Sequence, residues 1–512
     1  MKKLISIALI VMFAAVAVAC ETVTTVPTTV PTTAATTAVG TTTGSGTTTT
    51  GSGTTATTQP TGTTTATTTV YHDPVTLTYA AWNLGAIDSM TNLERLMLDA
   101  FEVEYPWITV DILERPKVPD ATGTGEIDQN WNEFLGANAA LGTLPDVYFT
   151  DSVETTIMNN WSLDLAAIAE SDPEFMNISA DLRNAANFGG HIMAIPYAVY
   201  YFGYFINKTL FEDQNGEQPL FEDTWAEFAA KVSDVASQTV TTGNGIAGIC
   251  GIDRLLEWYP AQLNADLGWY TYDGSLLHLD GPDFAATLDM YNTLMTTKAY
   301  IYDALTAEEK MAAFGTTGTW ETSKLLAYWE YTPIIGSMRE LGFDVDFIGT
   351  PGTATSHKIP VVLDLMCVSS QTDHPEDAYL LAKWMSFGKA GYLKRIDISS
   401  NVEGVVALNM TPLQPDVDML DAFFGIYTTF TEFRKVVEYD DYIIEPNKYV
   451  PGYIKARWTG VYNATTSLGD IFTGVLSGAI NYADVKTVWN QKANDALTAA
   501  REAVFEQLGI VG

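Results

Sequence analysis

From residue 75 onward the chain alternates between a period of two and a period near 3.6. Val75-Thr-Leu-Thr-Tyr-Ala-Ala-Trp82 alternates apolar and polar positions, which predicts a strand. Leu93, Leu96, Met97, Ala100 and Phe101 then fall on one helical face. Thr91 with Glu94 fits a capping box ahead of that face, and Pro106 ends it. Ile108, Val110 and Ile112 predict a second strand. An amphipathic helix around Trp131 to Leu141 leads into a third, Leu144 to Asp151. The order β-α-β-α-β predicts a mostly parallel sheet covered by helices. Ligands of such sheets lie beyond the carboxyl ends of strands, where Trp82-Asn83 and Thr150-Asp151 fall.

Further along, His191 to Lys208 is extended throughout and too long for one strand of a small lobe. It predicts a segment crossing between two lobes. Thr224-Trp-Ala-Glu227 is a capping box opening a helix through Val235. Gly342 to Gly349 and Lys358 to Ser369 form a second extended path. Pro375-Glu376 starts a helix to about Phe387. The tail, Ala483 to Leu508, predicts a helix with Val485, Val488, Trp489, Ala493, Ala496, Leu497 and Ala500 on one face. No internal repeat is visible.

The first 70 residues have a different character. Lys2 and Lys3 precede an apolar stretch, Leu4 to Val18, that is too short for an ordinary spanning helix. It ends in Ala17-Val18-Ala19-Cys20, which resembles a bacterial lipobox. That resemblance implies removal of residues 1–19 and diacylation of Cys20, and two acyl chains make a stable anchor. Threonine occupies 27 of the next 50 positions, Glu21 to Val70. Without large side chains or an apolar period this stretch cannot offset its ordering entropy. It is expected to be a flexible tether spanning about 40 Å. The remaining chain, of about 440 residues, suits two lobes rather than one core.

Composition narrows the ligand. The 512-residue chain has a formal net charge of −36, which argues against nucleic acid or a polyanion as partner. With Cys20 assigned to the anchor, Cys250 and Cys367 lie in apolar stretches and read as buried free thiols. The five His form no pair at ligand spacing, and neither zinc-hydrolase nor EF-hand motifs occur. No metal or cofactor is expected. Aromatics are abundant, with 12 Trp, 25 Tyr and 22 Phe.

Four segments, in order, carry a resemblance. Leu144-Pro-Asp-Val147 is similar to a "PDV" strand. Ile195-Pro-Tyr197 to Asn207-Lys208-Thr-Leu-Phe211, with Thr224-Trp-Ala-Glu-Phe228, is similar to a crossover and the helix after it. Ser323 to Tyr331 with Gly342-Phe-Asp-Val345 forms the third, and Lys358 to Trp384, containing His374-Pro-Glu-Asp-Ala378, the fourth. Together they resemble the family 1 extracellular solute-binding proteins of ABC importers, which include maltodextrin-binding proteins. The resemblance implies a two-lobe, periplasmic-binding-protein-like α/β fold of type II, with mostly parallel sheets and crossover hinge strands. Lobe one would comprise 71–197 plus 358–400, and lobe two 198–357 plus 401–512. The chain would cross near Tyr197, return near Lys358 and cross again near Ser400. The implied partners are a small ligand and separate permease and ATPase subunits. The expected location is the outer face of the cytoplasmic membrane, anchored by lipid, with the protein monomeric.

A sugar offers apolar C–H faces and a rim of hydroxyls, so it needs flat rings beside carboxylate, amide or guanidinium groups. At the family's cleft positions this chain has Trp82, Asn83 and Asp151 in lobe one and Tyr200 in the crossover. Glu257, Trp258, Tyr259, Trp329, Tyr331, Arg457 and Trp458 follow in lobe two, with Glu330 and Asp364 as further carboxylates. Trp225, Trp384 and Trp489 lie on amphipathic helical faces and read as core. A carbohydrate is the expected ligand. The alternatives are a polyol, a peptide, a polyamine held by Asp151, Glu257, Glu330 and Asp364, or service to a sensor. A surface glycoside hydrolase ranks last: among 62 acidic residues paired carboxylates decide nothing, and no nucleophile elbow, metal cluster or phosphate loop occurs in the sequence.

Overall fold

The opening alternation builds a parallel sheet. In the computed structural model, which describes residues 72–87 and 89–510, β1 (Val75–Ala80) leads through α1 (Leu93–Glu104) to β2 (Ile108–Ile112). α2 (Trp131–Leu141) then leads to β3 (Val147–Thr150), and β1 pairs in parallel with both β2 and β3. Residues 1–19, Cys20 and the Thr-rich stretch to residue 70 lie outside the described residues. The chain continues through α3 (Val153–Met158), β4 (Ile195–Asn207), α4 (Trp225–Val235), β5 (Ala247–Ile249) and α5 (Leu255–Leu263). Then come β6 (Leu325–Tyr331), β7 (Val345–Phe347), β8 (Ile359–Val368), α6 (Pro375–Met385) and α7 (Lys389–Asn401). It closes with α8 (Val417–Ile426), α9 (Thr431–Glu438), β9 (Tyr442–Ile444), α10 (Leu468–Leu476) and α11 (Tyr482–Gln507).

The long extended run is β4, and it serves two lobes. Up to Tyr201 it pairs antiparallel with β8, which pairs antiparallel with β3 of lobe one. From Phe202 to Ile206 it pairs antiparallel with β6, which runs parallel to β5 in lobe two. The strand order is β2-β1-β3-β8-β4-β6-β5, with β7 on β4 and β9 on β8. The antiparallel crossing strands make this sheet mixed. The change of partner falls between Tyr201 and Phe202, four residues beyond the expected Tyr197. There the backbone of Gly349 presses so closely on Gly203 that a Cβ would overlap it, so glycine is required.

Ser400 is inside α7, and α8 and α9 follow on the back of the crossing strands, where Phe433 packs on Tyr201 at 5.7 Å and Phe347 at 5.2 Å. β9 still pairs with the start of β8, while the first amides of α9 donate to Asp346 of β7, so this stretch packs across the hinge. Trp225, Trp384 and Trp489 are buried, as their helical faces predict. Cys250 and Cys367 are both buried, as their apolar stretches predict. Among the described residues no helix is long and apolar enough to cross a membrane.

The expected capping box at α1 does not form. Asn92 is the N-cap, and its side chain accepts from the Arg95 amide. Glu94 turns inward instead. It is 5% exposed, accepts a hydrogen bond from Tyr197 Oη at 2.7 Å and pairs with Arg395 of α7. Arg395 also donates to the Met385 carbonyl at 2.8 Å. A buried guanidinium demands a carboxylate, and this demand outweighs a surface cap worth about 1 kcal/mol. The box at α4, with Thr224 and Glu227, forms as predicted.

Removing one member of this pair strands the other. Glu94→Leu is expected to cost about 3–5 kcal/mol in urea unfolding. The double variant Glu94→Leu/Arg395→Met is expected to recover most of that loss, because no lone charge remains.

Candidate binding cleft between the lobes

Burial along β4 is continuous except at Tyr200 and Phe202, which are half-buried. β8 breaks in the same way at Val362 and Asp364; on β6 Trp329, Glu330 and Tyr331 are all half-buried, with Trp329 and Tyr331 on the face of Phe202, and Glu330, opposite Gly203, on the other. The register sets Tyr200 opposite Val362 and Phe202 opposite Tyr331, and paired residues point to the same face. The other face is covered, since Tyr201 meets Phe433 and Tyr442. The open face is the floor of a cleft between the lobes.

The floor is aromatic and held from behind. Phe202 stacks on Tyr331, with centroids 5.5 Å apart and planes at 24°, and on Trp329 at 6.5 Å and 12°. Trp329 stacks in turn on the buried Trp258 at 5.8 Å and 12°. Gly251, at φ 82°, lies so close to the Trp329 side chain that a Cβ would collide with it. The Trp329 indole is thereby fixed.

Charged groups line the same space. Lys448, at the end of a short 3-10 turn, pairs with Asp364 on the floor. Glu445 stands just before that turn. Burial pushes its carboxyl up to about 7; Lys448 pulls it back, while Glu257 and Asp364 push it further. Burial also raises the Glu257 carboxyl, against the pull of Arg254 at 3.5 Å and Arg457 at 3.9 Å. The hydroxyl of Tyr200 is raised by burial and then by Asp364, and that of Tyr331 by burial, Glu330 and Asp364.

Lobe one supplies the facing wall. Trp82 packs edge-on against Trp131 at 5.5 Å and Phe149 at 4.9 Å. The Asn83 amide donates to Tyr197 Oη at 3.3 Å, which ties this wall to Glu94 and Arg395. Asp151 accepts from Asn132 at 3.1 Å. By surface area Asp151 is exposed, yet loss of solvation raises its carboxyl, with Lys448 near enough to pull back.

A profile of the bacterial extracellular solute-binding proteins matches residues 88–391, more than half of the chain. The chain belongs to that family. Solved structures carry the same two-lobe, type II periplasmic-binding fold of the maltodextrin-binding type. A sugar transporter of Rhizobium etli in an open conformation is 13% identical, with a TM-score of 0.61, over 82% of this chain and 98% of its own. A cyclic alpha-maltosyl-1,6-maltose binding protein of Arthrobacter globiformis is 16% identical, with a TM-score of 0.57, over 83% and 100%. An ABC substrate-binding protein of Listeria monocytogenes, in complex with cycloalternan, is 14% identical, with a TM-score of 0.55, over 86% and 100%. No curated protein matches the chain by sequence.

Within this solute-binding protein the sequence-predicted residues separate into two groups. Tyr200, Trp329 and Tyr331 lie on the floor, Trp82, Asn83 and Asp151 in the facing wall. Trp458 is 40% exposed on a π-helical turn, Lys455–Thr459. Others lie deeper than a ligand contact requires. Trp258 is 0% exposed, and Tyr259 packs on Trp225 and Trp258. They support Trp329 from the core, because α5 is apolar nearly all round. Glu257 is buried beneath Arg254. Arg457 is also buried, with its guanidinium 3.7 Å from the Trp458 ring centroid and 3.6 Å from that of Phe472; it braces Trp458.

Sequence reasoning missed Phe202, Glu445, Lys448 and Arg254. Phe202 follows Tyr200 by two and was accessible from strand alternation. The segment 445–449 is irregular and about 80 residues from Asp364, so no local pattern announces it.

The raised Glu445 carboxyl gives a pH signature. The folded chain holds that proton more tightly than the unfolded chain, so its contribution to stability is lost as pH rises from about 4.5 to about 7. Thermal unfolding across pH 4.5–8 is expected to show this fall in the parent protein and a flatter profile in Glu445→Gln.

Proposed function

We propose that this protein is a lipid-anchored binding component of an ABC importer that captures a mono- or oligosaccharide between its lobes and hands it to a membrane permease. The carrying observation is the floor itself. Tyr200, Phe202, Trp329 and Tyr331 offer flat rings on one face of the crossing strands, with the Asp364–Lys448 pair among them. Rings suit the C–H faces of a sugar, and a paired carboxylate and ammonium suit its hydroxyls. Relatives of the same fold are described in complex with cycloalternan and as a binder of cyclic alpha-maltosyl-1,6-maltose, which supports a glucan. Cys20 would carry the anchor on the outer face of the membrane, and the Thr-rich tether would let the lobes reach the permease. Lobe one would be built on 71–201 with 358–400, and lobe two on the remainder of the folded part, with α8, α9 and β9 packed across the hinge. The role is binding without turnover.

A polyamine is the second reading, because carboxylates outnumber cations along the cleft. Two of its four expected ligands already hold cations: Glu257 faces Arg254, and Asp364 holds Lys448. That leaves Asp151 and Glu330 and favours the sugar.

A thermal-shift screen of glycans, polyols and spermidine separates these readings. A binding glycan at a hundred times its Kd is expected to add about 2.7 kcal/mol of stability. Trp329→Ala is expected to weaken that glycan by about tenfold. A shift with spermidine and none with any glycan overturns the sugar, and turnover of a glycan overturns the binding role.

A further inference from the structure

Helix α11 is an unbroken rod of 26 residues, with neither Gly nor Pro, and it is fastened to both lobes. On lobe two it buries Trp489, Ala493 and Leu497. Asn490 Oδ1 and Asn494 Oδ1 accept from the amides of Leu279 and Leu277 at 2.9 and 2.8 Å, and Arg501 donates to Ser275 Oγ at 2.8 Å. Its last turn reaches lobe one. Val504 joins the buried cluster that holds Trp161 and Phe188. Gln507 Nε2 donates to Asn160 Oδ1 at 2.8 Å, and Ile510 closes over Gly189, where a Cβ would lie 3.0 Å from Ile510 Cδ1. A second tie lies beside it: the Gly452 amide donates to Glu154 Oε2 of α3 at 2.8 Å, and Gly452 is wedged so tightly under α11 that a Cβ would sit 2.6 Å from the Ala496 carbonyl oxygen.

A helix without Pro or Gly does not kink. Rotation of the lobes about β4 and β8 therefore cannot be absorbed inside α11, and one of its attachments must open. The lobe-two attachment is the larger, with three buried side chains and hydrogen bonds made by Tyr482, Asn490, Asn494 and Arg501. The lobe-one attachment is one exposed amide pair and a few apolar contacts. We propose that Val504–Ile510 is a releasable clasp that holds lobe one in the arrangement described, so that the strength of this clasp helps set how often the lobes rotate. The assignment is independent of the ligand class, since it rests on contacts away from the cleft floor.

The test is an inter-lobe distance measurement on ligand-free protein. Spin labels are placed at the exposed positions Leu141 of lobe one and Met311 of lobe two, by Leu141→Cys and Met311→Cys in a Cys20→Ser background. Gln507→Ala/Ile510→Ala is expected to broaden the distance distribution. Asn160→Gly opens the clasp from the other side while keeping the left-handed backbone at Asn160 (φ 53°), and is expected to broaden it too. It also tests the idea should the double variant fold poorly. Unchanged distributions in folded variants overturn the clasp.

Discussion

Both lobes are built on one strand that neither owns. β4 completes the lobe-one sheet through β8 and the lobe-two sheet through β6. Because its backbone is hydrogen-bonded on both sides, the lobes cannot separate without breaking a sheet, and the strand changes partner at one point. Gly203 marks that change, where Gly349 approaches too closely for any side chain. The same arrangement creates the cleft. One face of the shared strands is sealed by α8 and α9, and the other stays open, so Tyr200, Phe202, Tyr331 and Asp364 are partly exposed in an otherwise buried sheet.

Charge then fixes the walls. The buried Glu94–Arg395 pair joins α1 to α7 and, through Tyr197, holds the Asn83 side chain at the lobe-one rim. On the lobe-two side Lys448 draws a short turn onto Asp364, bringing Glu445 near the floor. A chain with this much negative charge places its few cations where they organise structure. Arg395, Lys448, Arg254 and Arg457 each lie against a carboxylate, and Arg457 also against aromatic rings.

Much of this architecture was legible in the sequence because it follows local periods. The first strands, the helix from Trp131 to Leu141, the capping box at Thr224 and the length of the crossover all follow from spacing alone. Long-range choices were not legible. Nothing near Glu94 distinguishes a capping residue from half of a buried ion pair whose partner is 301 positions away. Trp258 and Trp329 look alike in sequence, yet one is the buried backing of the other. Helix periodicity likewise does not say which lobe α8 and α9 cover; α9 touches the crossing strands through Phe433 and β7 through Asp346.

The central claim is that the open face of the shared strands receives the ligand. Hydrogen exchange followed by mass spectrometry, with and without a glycan that stabilises the protein, tests it most directly. The account predicts added protection in 198–204, 327–331, 360–366 and 445–449, on both sides of the change of partner. Protection confined to one lobe's outer surface, such as the concavity lined by Glu217, Glu227 and Asp234, with none along β4, would contradict it.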